Sequence, residues 1–174
     1  MHTRTYSSVQ KLTISAIVIA LYTVVMYVTQ SFAFGAYQIR IATALYALAY
    51  LFPFLIIPLG CANLLSNLVM GGLGIFDIVG GLIVGLLTSS LVYLVRRKNL
   101  PCLLTAIPIV LIPGLLVATW LSYLLQIPYG VMAVSLLIGQ IIPGIVGALC
   151  IVLLKDKVPM APIVLKKRTP VAGH

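Results

Sequence analysis

The sequence predicts an all-α integral membrane fold of six transmembrane helices with both termini cytoplasmic. Three observations carry that prediction. Of 174 residues, 62% are apolar and 7% charged, whereas a soluble domain keeps roughly 25% charged. The mean hydropathy is +1.21, so one soluble core cannot hide the apolar surplus and lipid must cover it. The basic residues, finally, gather at the ends of long charge-free runs.

The formal charge of +9 sets eleven Lys and Arg against Asp77 and Asp156. Such a balance can signal nucleic acid, but position argues otherwise. The cations form an N-terminal pair (Arg4, Lys11), a central triplet (Arg96, Arg97, Lys98) and a C-terminal set (Lys155, Lys157, Lys166, Lys167, Arg168), with Arg40 alone. Clusters that flank apolar runs mark cytoplasmic loops and contacts to anionic lipid.

After a cytoplasmic tail over 1–11, the membrane domain is expected over 12–154. Its first span is 12–29. A cleaved signal peptide is the competing reading, since Ala33-Phe34-Gly35 resembles a cleavage site, but the apolar run exceeds the usual h-region of about 7–15 residues. No charge occurs over 41–76, and Pro53, Pro58 and Gly60 break its middle. Parity decides how often it crosses. Lys11 and Arg96 should share the cytoplasmic side, so the number of crossings between them is even. With 12–29 and 75–95 as two of them, the middle must cross twice, in short helices of about 15 residues each, roughly 22 Å at 1.5 Å per residue against a core of about 30 Å. The run 99–154 holds two more spans, divided near Gln126, Pro128 and Tyr129. The basic segment 155–174, with Pro159, Pro162 and Pro170, is expected as an irregular cytoplasmic tail. No internal repeat supports an inverted-repeat transporter.

The chemistry available is narrow. Both histidines, His2 and His174, sit at the chain ends. One acid inside the membrane region provides neither a carboxylate pair nor a nucleophile with its base, so no enzyme and no proton relay is expected. A phosphate-cradling P-loop is missing, so uphill transport needs a partner to hydrolyse ATP. Cys61, Cys102 and Cys150 form no C-x-x-C pair and read as buried small apolar residues, with no disulfide, metal site or cofactor expected.

Arg40 and Asp77 fall at the outer starts of the second and fourth helices. They pair across a shallow pocket, or Arg40 snorkels to the headgroups while Asp77 caps a helix after Gly71-Gly72-Leu73-Gly74. Asn63 and Asn67, four apart, share a helix face and either bond a heteroaromatic ligand or bond neighbouring helices. Thr43 and Thr119 are further intramembrane polar residues, and Gln140 reads as glue between helices. Trp120 and Tyr129 fit an interfacial aromatic belt. The loop 31–38, with Phe32, Phe34, Tyr37 and Gly35, could fold over a planar ligand as a lid. Ala16-x-x-x-Ala20 leaves a smooth strip on the first helix, and Gly81, Gly85 and Ser89, then Gly144 and Ala148, repeat the small-residue spacing of close helix packing.

Six short helices, the Ala16-x-x-x-Ala20 strip and the lack of an energy source resemble the substrate-binding S components of energy-coupling factor (ECF) transporters. Within that family the chain is most similar to the QueT group over 12–154. The likeness lies in Phe34-Gly35-Ala36-Tyr37-Gln38-Ile39-Arg40-Ile41, Gly60-Cys61-Ala62-Asn63-Leu64-Leu65-Ser66-Asn67 and Leu73-Gly74-Ile75-Phe76-Asp77-Ile78-Val79. The resemblance implies a prokaryotic cell-membrane protein that binds a small solute outside and topples to deliver it inward. Its partners would be a transmembrane T component, docked on Ala16 and Ala20, and two cytoplasmic ATPases. It implies a substrate site with Tyr37, Arg40, Thr43, Asn63, Asn67, Asp77, Trp120 and Gln140. The group often has a glutamate where Thr43 stands, and acids near Trp120 and Gln140. Their loss removes partners for a cationic aminomethyl deazaguanine and admits a neutral heteroaromatic such as pyridoxine or a hydroxymethylpyrimidine. The alternative from another class is a homo-oligomeric channel or passive facilitator.

Overall fold

The computed structural model describes residues 4–33, 38–70 and 74–163, and every element of regular structure among them is helical. In chain order these are α1 (Ser8–Val28), the short α2 (Gln30–Ala33), a 3-10 helix (Ile41–Tyr50), a 3-10 turn (Pro53–Leu55) running into α3 (Ile56–Val69), α4 (Ile75–Arg97), a 3-10 turn (Cys102–Thr105) running into α5 (Ala106–Leu125), and α6 (Tyr129–Leu154). Ser7 and Gln10 form a reciprocal capping box that fixes the start of α1. Four helices, Ser8–Val28, Ile75–Arg97, Cys102–Leu125 and Tyr129–Leu154, are long and apolar enough to cross a membrane. Two shorter apolar helices, Ile41–Tyr50 and Pro53–Val69, lie between the first and second of these.

That short pair replaces the two equal helices of about 15 residues expected from parity. Ile41–Tyr50 winds as a 3-10 helix of 10 residues, and at about 2.0 Å per residue it extends roughly 20 Å. Pro53, which can open a helix but not continue one, starts the return. Tyr50 and Leu51 reach the C-terminal end of α4, where their carbonyls accept from Arg96 at 2.9 and 3.1 Å. Arg40 lies beside Asp77 at the other end of the same helix. The pair therefore runs down the bundle and back.

Residues 155–163 carry no helix yet pack onto the fold. Met160 and Ala161 are buried. The Arg4 amide donates to Met160 O, the Ala161 amide to Leu51 O, and the Tyr6 hydroxyl to Pro159 O. Arg4, Arg96 and the C-terminal segment thus share one end of the bundle, and Asp77 lies at the opposite end.

Two apolar cores form. One joins α1, the 3-10 helix and α3 around Tyr22, Met26, Tyr46, Leu55 and Leu59. The other joins α4, α5 and α6 around Val84, Val117, Leu121 and Leu136. The α3–α4 contact rests on glycine at both sides: a Cβ on Gly85 would lie 2.8 Å from Gly60 Cα. The cysteines depart from expectation. All three are free thiols, but Cys61 and Cys150 are exposed on α3 and α6, while Cys102 is half-buried against the first core.

Candidate functional site

Buried polar side chains collect where the two cores meet, near the Asp77 end. Arg40 Nη2 lies 3.7 Å from Asp77 Oδ2, with the two side chains 4% and 0% exposed. A fully exposed tip, as snorkelling requires, is therefore not what Arg40 adopts. Asp77 occupies the first turn of α4, where the dipole favours its charge. It does not cap the helix, however: the N-cap is Gly74, at φ 86°, and makes no side-chain bond. The Asp77 oxygens turn sideways instead, and Oδ1 accepts from Trp120 Nε1 at 3.3 Å.

Asn67 links this pair to α3. Its Oδ1 accepts from Arg40 Nη1 at 3.5 Å, and its Nδ2 donates to the Asp77 backbone carbonyl at 2.7 Å. Both asparagines fit because α4 presents a glycine to them. A Cβ on Gly81 would lie 2.6 Å from Asn67 Nδ2 and 3.1 Å from Asn63 Oδ1. Gly80 does the same for Trp120, whose ring a Cβ there would meet at 2.8 Å. Trp120, read from sequence as an interfacial belt residue, is half-buried against the carboxylate.

The winding of the 3-10 helix sets the next layer. At three residues per turn, side chains three apart eclipse, so Arg40, Thr43 and Tyr46 form one ridge. Thr43 Oγ1 lies 2.7 Å from Arg40 O and 2.8 Å from the Gln140 side-chain amide on α6. One hydroxyl proton serves one acceptor at a time, so Thr43 donates either to Arg40 O or to Gln140 Oε1. Tyr46 accepts from Asn63 Nδ2 at 2.7 Å and lies 3.1 Å, oxygen to oxygen, from Tyr22 on α1.

These groups surround a cavity of about 10 Å³, lined by Gln38, Arg40, Thr43, Asn63 and Gln140 with Val84, Pro113, Val117 and Leu136. That is room for roughly one water, so the site is closed onto itself. Its polar inventory is nevertheless incompletely spent. Gln38 Oε1, Asn63 Oδ1 and Asp77 Oδ2 are buried and accept no hydrogen bond among the described residues. Gln38 moreover holds φ 41°, a left-handed backbone that a non-glycine residue adopts at a cost.

Of the residues singled out from sequence, Arg40, Thr43, Asn63, Asn67, Asp77, Trp120 and Gln140 come together here from five elements. Tyr37, with the rest of 34–37, and Gly71 and Gly72 lie outside the described residues. Ala16 and Ala20 are exposed on α1, away from the cluster. Thr119 is exposed as well, its hydroxyl donating to Leu116 O and its carbonyl accepting from Ser122 Oγ. Gln38, expected only as part of the loop 31–38, Tyr46, expected only as an aromatic near the outer end, and Tyr22 were not among the expected site residues. The three-residue spacing of Tyr46 from Thr43 and Arg40 was the available signal.

Comparison with curated proteins and with solved structures gives no match. A family model described as QueT transporter matches residues 12–156. That interval spans most of the chain and contains the whole polar cluster and all four candidate membrane-spanning helices except the first turn of α1. A multi-pass apolar helical bundle with a buried polar centre is an architecture suited to moving a small solute through a membrane, and the chain belongs to the QueT transporter family.

Proposed function

We propose that this protein is the substrate-specific S component of an ECF-type importer in a prokaryotic cell membrane. It would take a small heteroaromatic solute, like a queuosine precursor or like pyridoxine or a hydroxymethylpyrimidine, at the outer face. Delivery inward would follow by toppling against a transmembrane T component driven by two ATPases. The observation that carries the reading is the buried cluster of Arg40, Asn63, Asn67, Asp77, Thr43 and Gln140 in a chain whose sequence holds no ATP-binding motif.

Six crossings with both termini cytoplasmic fit the run of the short helix pair down the bundle and back, and the gathering of Arg4, Arg96 and the C-terminal segment at one end. Solute binding requires the site to open, since a ligand pocket on the order of 300 Å³ or more is usual. The internal bonds that would give way are weak ones. Arg40 meets Asn67 and Asp77 at 3.5 and 3.7 Å, long for charge-assisted contacts, and a flat ring with its own donors and acceptors would replace them. The unspent oxygens of Gln38 and Asn63 and the carboxylate of Asp77 then receive donors from the solute. Tyr37 is proposed to close over it.

Coexpression with a T component and two ATPases, followed by mild extraction and native mass spectrometry, tests the assignment. The expected result is a complex of all the subunits together with a retained small solute. Vesicles holding this chain alone that accumulate a nutrient against its gradient would overturn it.

A further inference from the structure

The end of the bundle opposite the polar cluster holds a second cavity with different chemistry. It measures about 860 Å³ and is bordered by Arg96, Asn99, Lys155 and apolar side chains that include Leu100, Leu103 and Val152. Two cations face it. Among the described residues no carboxylate lies within ion-pairing distance of either. Asp77 is at the far end of α4, and Asp156 is exposed on the residue after Lys155.

Arg96 is 6% exposed, and a buried guanidinium without an anion is costly. The fold compensates part of that charge. Nη1 donates to Tyr50 O and Leu51 O, and Nη2 to Ala161 O at 2.7 Å. The C-terminal end of the α4 dipole adds partial negative charge. Carbonyl dipoles nonetheless leave the net charge in place, and Lys155 adds another on the same wall. Arg97 and Lys98 follow on the chain. The cavity is therefore positive at its polar edge and apolar beyond it, at helix ends where the membrane meets water.

We propose that this cavity binds an anionic phospholipid. The phosphate would lie between Lys155 and the edge of Arg96, and the first acyl carbons along Leu100, Leu103 and Val152. A basic pocket between helix ends fits such a headgroup, and the volume accommodates it with its glycerol backbone. A zwitterionic lipid fits less well, because its quaternary ammonium would enter an already cationic wall. The inference uses the membrane setting and not the transported solute.

The test is native mass spectrometry of delipidated protein titrated with phosphatidylglycerol, with phosphatidylcholine of the same acyl chains, and with inorganic phosphate. The wild-type chain should retain phosphatidylglycerol several-fold better than phosphatidylcholine. Lys155→Glu should cut that preference by about fivefold or more, the scale of one lysine at an anionic surface. Val152→Trp, which fills the apolar part, should lower retention with the charges intact. Thermal midpoints in phosphatidylcholine identify a variant that fails to fold, and the wild-type comparison then decides. Arg96 is left alone because it ties three segments together. Equal retention of the two lipids, an unchanged preference in folded Lys155→Glu, or displacement of phosphatidylglycerol by an equal concentration of inorganic phosphate would each overturn the proposal.

Discussion

Charge is scarce enough in this sequence that Arg40 and Asp77 stand out at once, and the structure places them 3.7 Å apart with both side chains buried. A buried pair owes its energetic importance to what remains when one partner goes. Asp77→Asn takes the carboxylate away from the buried guanidinium and should destabilise the protein by about 3–5 kcal/mol, read as a lower unfolding midpoint in detergent. Exchanging the residues, Arg40→Asp with Asp77→Arg, should recover part of that. Recovery stays incomplete because an arginine in the first turn of α4 opposes the dipole. An Asp77→Asn protein as stable as wild type would show that the pair contributes nothing. The tyrosines were harder to see, since a phenol in an apolar run looks like core or interface. Tyr46 is the middle member of a chain from Asn63 to Tyr22. Tyr46→Phe strands the Asn63 amide and should cost about 1–3 kcal/mol. Tyr22→Phe removes an end group and should cost less, and the double variant should fall short of the sum.

At the level of elements, a pair of short helices between the first and second long ones was readable and the winding was not. Parity of the basic clusters led to two short helices between α1 and α4, and Pro53 marked where they part. Nothing in the composition of 41–50 announces a 3-10 helix, because the advantage of that winding lies in tertiary structure: it brings Arg40, Thr43 and Tyr46 onto one ridge against α3 and α6. The small-residue spacings were legible as close packing, and the structure gives them distinct tasks. Gly81 makes room for the Asn63 and Asn67 amides, whereas Gly85 meets the Gly60 backbone. Backbone cannot swing aside as a side chain can, so Gly85→Ala should push α3 from α4 and cost about 1–3 kcal/mol. Gly130, in the first turn of α6, has nothing within 4 Å of an added Cβ. Gly130→Ala should therefore be neutral or stabilise by about 0.5–1 kcal/mol through helix propensity. Equal effects of the two substitutions, measured as unfolding midpoints, would contradict this division.

Across the whole molecule, α1 is the least enclosed of the four long helices, and its two faces differ. Tyr22 and Met26 are fully buried, while Ala16, Ala20 and Val24 are exposed along the opposite side. Lipid alone would be met equally well by large apolar residues, as it is at Leu12 and Val28; alanines four apart instead allow a second helix to approach closely. The same helix touches the polar cluster through Tyr22, so a partner docked on one face sits a helix diameter from the hydrogen-bond chain on the other. Ala16→Trp should then separate the two roles. The large ring should abolish co-purification with the proposed T component and the ATPases, while solute retention by the isolated protein and its unfolding midpoint stay within error of wild type, because Ala16 is exposed. Met26→Ala, which opens the core behind α1, should do the reverse, lowering the midpoint by the equivalent of about 2–5 kcal/mol with the alanine strip intact. An Ala16→Trp protein that still assembles and supports ATP-driven uptake would remove the docking role from this face and leave α1 as a lipid-facing wall.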